Sequence, residues 1–192
     1  MQEPASAAQE LFIKNIATNP YQPRCNFDEE KLQELAASIK EFGVVQPVVV
    51  RKKGRSYELV AGERRLRAAG LAGLTKVPAI VKDYDDAKMM EIALIENIQR
   101  HDLNPIEEAQ GLRRLMQEFK LTQEQTAEKV GRSRSAVTNI LRLLNLPEQV
   151  QKQIINGVLT MGQAKQLLGL PKPEQMCEVA EAIIANGWGA HA

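Results

Sequence analysis

The chain has 192 residues, of which 44% are hydrophobic and 26% are charged, a composition typical of a globular protein with one medium domain or two small ones. Because no apolar run approaches the roughly 20 residues that span a bilayer, and no signal-peptide pattern opens the chain, we expect a cytoplasmic protein without a membrane partner. Cys25 and Cys177 lie far apart and outside any Cys/His cluster, which argues against a disulfide framework or a zinc site.

The formal net charge of +1 conceals an uneven distribution of charge along the chain. Residues 129–173 contain seven basic side chains and a single acidic one, Glu148. The balancing acidic residues lie earlier, for example in residues 83–91. A basic C-terminal half indicates a polyanionic partner such as nucleic acid.

The N-terminal half has the pattern of an α+β domain. Residues 1–10 are small and polar without periodicity, so we expect a flexible tail and structure from about Leu11. An apolar stripe with helical spacing predicts a helix that begins after an N-cap at Asp28 and ends at Gly43. Three strands are predicted, at 44–51, 57–61 and 77–82. A turn at 53–55 is predicted to join the first two strands.

Residues 62–68, of sequence Gly-Glu-Arg-Arg-Leu-Arg-Ala, lie where a strand pattern changes to a helix pattern. The N-terminus of a helix offers unpaired N–H groups and the positive end of the helix dipole, and a glycine there lets an anion approach closely. Arginine side chains would add bidentate contacts to a phosphate. Taken alone, this pattern fits a phosphate site and an ordinary solvated basic helix face equally well.

From Asp86 onward the pattern is helical without further strand signals, which marks the region of a domain boundary. Helices are predicted over 87–99, from Pro105 with Asn104 as the cap, from residue 121, over 148–156 and over 161–168.

Residues 123–144 predict a helix-turn-helix. A small residue, Ala127, lets two helices approach each other, Gly131 supplies the turn, and Val137 continues the apolar face together with Ile140. The second helix begins near Ser133 and presents side chains suited to phosphates and base edges: Arg134, Ser135, Thr138, Asn139 and Arg142. A plain helical hairpin would mix both charges, whereas residues 129–147 contain four basic and no acidic side chains. This segment therefore predicts DNA binding, usually as a dimer on a two-fold site.

Three motifs precede the helix-turn-helix in order. They are Asn19-Pro20-Tyr21-Gln22-Pro23-Arg24, the 62–68 motif, and Glu96-Asn97-Ile98-Gln99-Arg100 running into Asn-Pro-Ile-Glu-Glu-Ala at 104–109. With these motifs, residues 11–185 closely resemble the ParB family of chromosome and plasmid partition proteins. The resemblance implies an α+β ParB/sulfiredoxin-like CTP-binding domain over 11–100 and an all-α helix-turn-helix domain over 101–170. It leaves 171–192 as a C-terminal helix or linker remnant, without the family's C-terminal dimerisation domain.

The resemblance also implies a low-turnover CTP hydrolase, with CTP (or CDP) and Mg²⁺, that switches a clamp sliding on DNA. The residues that would hold the nucleotide are Arg24, Val45, Gln46, Gly62, Glu63, Arg64, Arg65, Ala68 and Asn97, with Val45 and Gln46 in the segment lining the cytosine pocket. Gln22 would position the attacking water, and Glu96 and Asn97 would contact Mg²⁺ and phosphate, since oxygen ligands suit this ion. Without the family, Glu96 and Arg100 form an ordinary i, i+4 helix pair.

The partners implied are double-stranded DNA carrying the palindromic, centromere-like parS site, a second copy in a homodimeric clamp, the ParA ATPase and SMC condensin, at the nucleoid. Further members of the DNA-binding set are Ser133, Gly162, Gln163 and Lys165, although family members often carry His and Arg in place of Gln163 and Lys165. Residues 1–10 lack the Leu-Gly-Lys-Gly-Leu type segment through which relatives engage ParA. Two alternatives stay open: a Noc-type nucleoid occlusion clamp, and a transcriptional regulator without nucleotide switching.

Overall fold

The computed structural model describes residues 8–18, 29–100 and 103–188. The chain divides into two compact units, residues 1–93 and 94–192. The division falls within one helix, between residues 93 and 94, because the end of that helix contributes Ile98 to the core of the second unit.

The described elements of the N-terminal unit are short strands and three helices, the last of which continues into the second unit. They are β1 (Gln9–Phe12), a 3₁₀ turn (Ile13–Asn15), β2 (Ile16–Ala17), α1 (Glu29–Phe42), β3 (Val48–Lys53), β4 (Ser56–Ala61), α2 (Glu63–Leu71), β5 (Lys76–Lys82) and α3 (Asp86–Ile98). The described strands form one mixed sheet in the order β1-β5-β3-β4-β2. Pairing is antiparallel for β1/β5 and β3/β4, and parallel for β3/β5 and β2/β4.

The core of this unit lies between the sheet and helices α1 and α2. Alternate residues of β3, such as Val48 and Val50, are completely buried, as period-2 alternation on a half-covered sheet requires. Ala68 and Ala69 of α2 are also completely buried in the same cluster, where their small side chains leave room for neighbouring elements. The predicted α+β class is therefore confirmed for this unit.

Several predicted boundaries need correction. The first predicted strand begins at Val48 instead of residue 44, since Pro47 supplies no N–H to a sheet and Val45 is 84% exposed. The flexible tail is predicted to extend to residue 10, but Gln9 and Glu10 already belong to β1. β1 and β2 were missed because both are short, and most residues of β1 are exposed. The turn at 53–55 is confirmed by Gly54, with φ of 62°, whereas the predicted cap Asp28 lies outside the described residues.

The second unit is helical throughout its described residues. After the end of α3 it contains α4 (Pro105–Phe119), α5 (Gln123–Val130), α6 (Arg134–Arg142), a 3₁₀ turn (Leu143–Asn145), α7 (Glu148–Ile155), α8 (Met161–Leu167) and α9 (Pro173–Asn186). The predicted cap of α4 is confirmed, because Asn104 Oδ1 accepts hydrogen bonds from the N–H groups of Ile106 and Glu107.

Helix α9 belongs to the core of the helical unit. Ala180 and Ile183 are buried in one cluster with Val150 of α7 and Leu167 of α8. A C-terminal helix, one of the two forms predicted for residues 171–192, is present at Pro173–Asn186, and its apolar face packs into the core of the helical unit. No helix among the described residues is long and apolar enough to cross a membrane.

Candidate functional sites

Helix α6 is held in place by its buried face and by a side-chain cap. Val137 and Ile140 are buried against α4 and α5. Ser133 Oγ accepts a hydrogen bond from the N–H of Ala136 at 3.2 Å, so the helix begins where the sequence predicts. Arg134, Ser135 and Arg142 are exposed, whereas Thr138 and Asn139 are half-buried. The structure thus brings the predicted DNA-reading side chains together on one helix.

Three contacts stabilise the turn before α6. Gly131 has φ of 71°, and the N–H of Arg132 donates to the carbonyl of Ala127 at 2.9 Å. Gln99, at the end of the Glu-Asn-Ile-Gln-Arg motif, donates from Nε2 to the carbonyl of Val130 at 3.3 Å. The guanidinium of Arg132 lies 2.6 Å from Glu108 of α4. Arg132 therefore stabilises the turn. The basic surface that this segment offers to a ligand is formed by other side chains.

The third group of predicted DNA-binding residues lies on α8. Gly162 and Lys165 are exposed. Gln163 is committed to the helix cap, since its Oε1 accepts from the N–H of Thr160 at 2.8 Å and its Nε2 donates to the carbonyl of Trp188 at 2.5 Å. Both ends of the Gln163 amide therefore have partners within the helical unit, and its DNA-binding role stays a prediction.

Helix α2 begins directly after β4 at Gly62, which has φ of 103°. A Cβ on Gly62 would lie 3.1 Å from Cγ1 of Val48, so glycine is required here both by the left-handed backbone and by the close approach to β3. No side chain caps this N-terminus. The first helical hydrogen bond runs from Leu66 N–H to the Gly62 carbonyl, which leaves earlier N–H groups of the first turn without helical acceptors.

The arginines of the 62–68 motif have different environments. Arg65 donates from Nη1 to the carbonyls of Gln46 and Pro47, at 3.0 and 2.7 Å, and thereby holds the exposed segment before β3. Arg67 donates to Glu63, which is 9% exposed, at 2.6 Å. Arg64 is exposed and makes no hydrogen bond or ion pair with any residue that the structure describes. Of the three, Arg64 is thus available to an anion without breaking a described contact.

Three predicted nucleotide contacts of this unit differ in their exposure. Ala68 is completely buried in the hydrophobic cluster, so its side chain packs against the core and offers no surface to a ligand. Val45 and Gln46 are exposed on the segment that Arg65 holds.

The remaining residues predicted for catalysis, metal binding or nucleotide binding lie in α3 or outside the described residues. Glu96 is half-buried and Asn97 exposed in the last turns of α3, which belong to the second unit. Gln22 and Arg24 lie outside the described residues. Within the described ranges 8–18, 29–100 and 103–188, no group of three or more His, Cys, Asp or Glu side chains is suited to hold a metal ion. Mg²⁺ does not need such a cage when substrate phosphates supply most of its ligands.

A buried ion network in the N-terminal unit escaped sequence reasoning. Arg51 of β3 and Glu58 of β4 are each 4% exposed, and Arg51 Nε donates to Glu58 Oε2 at 2.7 Å. Arg51 also donates to the carbonyl of Tyr84 and to Oδ1 of Asp86, at the beginning of α3. This hydrogen bond and the charge of Arg51 lower the pKa of Asp86. The only sequence signal was two opposite charges facing each other across a predicted hairpin.

Comparison with known proteins agrees with both units. The family model of the ParB N-terminal domain matches residues 2–98, and that of the ParB helix-turn-helix domain matches residues 101–192. The chain belongs to the ParB family. This confirms the predicted order of a ParB-type α/β domain and a helical helix-turn-helix domain.

The most similar relatives of this ParB-family chain include two curated proteins and one crystal structure. The probable chromosome-partitioning protein ParB of Neisseria meningitidis is 55% identical over 179 residues, which cover 93% of this chain and 62% of that protein. ParB of Myxococcus xanthus is 51% identical over 182 residues, or 95% of this chain and 62% of that protein. C-terminally truncated ParB of Caulobacter crescentus, complexed to the centromeric parS site, is 42% identical with a TM-score of 0.81 over 95% of both chains.

This chain thus spans about 62% of the length of the curated relatives that it matches.

Proposed function

We propose that the chain is a chromosome-partition protein that reads a parS-type DNA site through α6 and binds CTP at the N-terminus of α2. The observation that carries the DNA part is the geometry of α6. Its apolar face is buried by Val137 and Ile140, its first turn is capped by Ser133, and its exposed face carries Arg134 and Arg142. The structural likeness to the Caulobacter crescentus protein, whose crystal contains parS, supports this reading.

Support for the nucleotide part comes from the first turn of α2. Phosphate oxygens are acceptors and negatively charged, so they complement N–H groups without helical acceptors and the positive end of the helix dipole. The uncapped N-terminus at Gly62 and the exposed Arg64 supply these features side by side. Arg65 contributes by holding the carbonyls of Gln46 and Pro47, which keeps the segment proposed to meet the cytosine in one conformation.

Hydrolysis of CTP is part of the same proposal. Glu96 and Asn97 offer the oxygen atoms that Mg²⁺ takes as ligands, and Gln22 would orient the attacking water. Bound Mg²⁺ would neutralise charge on the phosphate oxygens. DNA binding would promote engagement of two copies as a clamp, and ParA and SMC condensin are proposed as further partners.

The DNA assignment is tested by R134A, measured at one salt concentration with a parS duplex and with a scrambled duplex. Loss of the guanidinium should weaken parS binding by about 1–3 kcal/mol. R114A is the matched control, because it removes the same charge from the exposed side of α4, where Arg114 lies 3.7 Å from Glu118. Equal losses for R134A and R114A on both duplexes would show that α6 contributes only general charge.

The nucleotide assignment is tested by R64A in calorimetric titrations with CTP, ATP, GTP and UTP. CTP affinity should fall by about tenfold or more, since a bidentate arginine-phosphate contact is lost. R55A is the matched control, because Arg55 is exposed in the β3–β4 turn, at the opposite end of β4 and about 20 Å from Gly62. Normal CTP affinity in R64A would remove this arginine from the phosphate site, and failure of the wild-type chain to bind CTP would favour a regulator without nucleotide switching.

A further inference from the structure

A hydrogen bond between the two helices of the helix-turn-helix lies next to the DNA-reading side chains. Thr138 Oγ1 of α6 is 2.7 Å from Oε1 of Gln123, the first residue of α5. Thr138 belongs to the predicted DNA-binding set, whereas the sequence pattern assigns no role to Gln123. The contact places the side chain of Gln123 beside α6, one helical turn beyond Arg134.

The hydroxyl group of Thr138 has one proton and two acceptors within reach. Gln123 Oε1 lies at 2.7 Å, and the carbonyl of Arg134 lies at 2.9 Å within α6 itself. A threonine in an isolated helix donates to the carbonyl four residues earlier, so that its hydroxyl is turned toward its own backbone. Gln123 supplies a competing acceptor outside the helix. The hydroxyl proton of Thr138 can therefore be donated to Gln123 Oε1, while the lone pairs of Thr138 Oγ1 remain available as acceptors.

The amide of Gln123 has unused donors. Its oxygen accepts from Thr138, whereas Nε2 carries two N–H groups with no partner among the residues that the structure describes. Arg134, in the first turn of α6, is exposed close by along the same helix. Amide N–H groups in that position suit the acceptor oxygens of a DNA backbone or base edge.

We propose that Gln123 is a specificity-determining positioning residue for DNA reading, an inference that rests on the proposed binding of parS by α6. Gln123 holds the Thr138 hydroxyl in one orientation, so that its oxygen meets a base-edge donor, and offers its own N–H groups to the adjacent DNA. The two side chains act as one unit, because each loses its orientation without the other.

The test is a double-mutant cycle with Q123M, T138V and the double variant. Affinities for a parS duplex and a scrambled duplex are measured at one salt concentration, and the quantity compared is their ratio. Each single variant should lower the parS preference about three- to tenfold, the range expected for one hydrogen-bonded contact. The double variant should lose no more parS preference than the single variant with the larger loss, because both substitutions remove the same hydrogen bond.

Two further variants distinguish an effect on DNA recognition from an effect on protein stability. T138S keeps the hydroxyl group and should retain most of the preference. T126V makes the same chemical change as T138V, but Thr126 is completely buried and its hydroxyl donates at 2.8 Å to the carbonyl of Thr122 in its own helix. T126V should lower the melting temperature and leave the parS preference unchanged.

Additive losses in the cycle, equal losses on both duplexes, or an unchanged preference in Q123M would each overturn the inference. The wild-type chain distinguishes failure of the role of Gln123 from failure of the proposed function. If it prefers parS while Q123M and T138V keep that preference, only the role of Gln123 fails. If it binds both duplexes equally, the proposed DNA reading fails and the inference fails with it.

Discussion

Helices α2 and α6 both carry arginines near their N-termini, yet they begin in different ways. Helix α6 begins at Ser133, whose side chain satisfies the N–H of Ala136, whereas α2 begins at Gly62 without any side-chain cap. The cap of α6 satisfies one N–H group of its first turn, and the exposed face of α6 offers side chains such as Arg134 and Arg142. The uncapped N-terminus of α2 keeps its backbone donors for an anion.

The arginines of these two regions show the same division of roles. Arg65 binds the carbonyls of Gln46 and Pro47, and Arg132 binds Glu108, so both stabilise the local structure. Arg64 and Arg134 are their exposed neighbours. The contrast shows that basic residues close together in a motif divide into those that bind other parts of the fold and those that stay exposed, according to which acceptors lie within reach.

The largest effect is expected for G62A, which tests whether the backbone of α2 makes the site. An alanine would have to adopt φ of 103° with its Cβ 3.1 Å from Val48. The free energy of unfolding should fall by about 1–3 kcal/mol, because the backbone strain adds to the close contact. CTP affinity should fall by about tenfold or more, since the first turn of α2 must shift. Chemical denaturation and calorimetric titration measure the two effects.

G54A is the control for G62A. Gly54 also has a positive φ, of 62°, but a Cβ there would meet nothing within 4 Å. It should lower the stability by about 1 kcal/mol and leave CTP affinity unchanged. If G62A binds CTP as tightly as G54A does, the backbone of α2 is not the phosphate site.

A smaller effect is expected for S133A, which tests whether the cap of α6 serves structure. Loss of the cap should lower the free energy of unfolding of the helical unit by about 1 kcal/mol. parS affinity should fall less than in R134A, because the reading side chains remain. T122A is the matched control, since Thr122 caps α5 by accepting from the N–H of Gln125 at 3.2 Å and lies outside the predicted DNA-binding set. A larger loss of parS affinity in S133A than in R134A, without loss of stability, would instead make Ser133 a direct DNA contact.

The smallest effect is expected for D86N, which tests the electrostatic support of the N-terminal unit. Arg51 lowers the pKa of Asp86 through a hydrogen bond and its charge. A carboxyl group whose pKa is lowered on folding adds stability above its unfolded-state pKa, near 3.9, and this stability is lost as pH falls through the folded-state pKa. The stability difference between wild type and D86N should therefore be present at pH 7 and shrink below about pH 4.

Urea denaturation from pH 7 to pH 3 measures that difference, with D83N as the control because Asp83 is exposed and makes no ion pair with a described residue. A D86N difference that is independent of pH would show that the carboxylate charge contributes nothing.

Much of this protein follows from local sequence. Gly131 between two amphipathic segments, Asn104 before Pro105, and the strand-to-helix change at Gly62 all act through nearest neighbours and helical periodicity, so the structure confirms each element close to its predicted position. Edge strands β1 and β2 escaped prediction because strands of four and two residues carry too little periodicity to be recognised.

The sequence by itself determined that Gly62 ends a strand, that arginines follow it, and that α6 carries basic and polar residues after a glycine turn. Only the tertiary structure decided that Arg65 and Arg132 are already bound, that Gln163 caps α8, and that Gln123 meets Thr138. The physical reason is distance along the chain. A cap or a helical stripe is encoded within a few residues. The acceptors of Arg65, in contrast, lie 18 and 19 residues away, and Gln123 lies 15 residues from Thr138, so these contacts form only after the elements have packed.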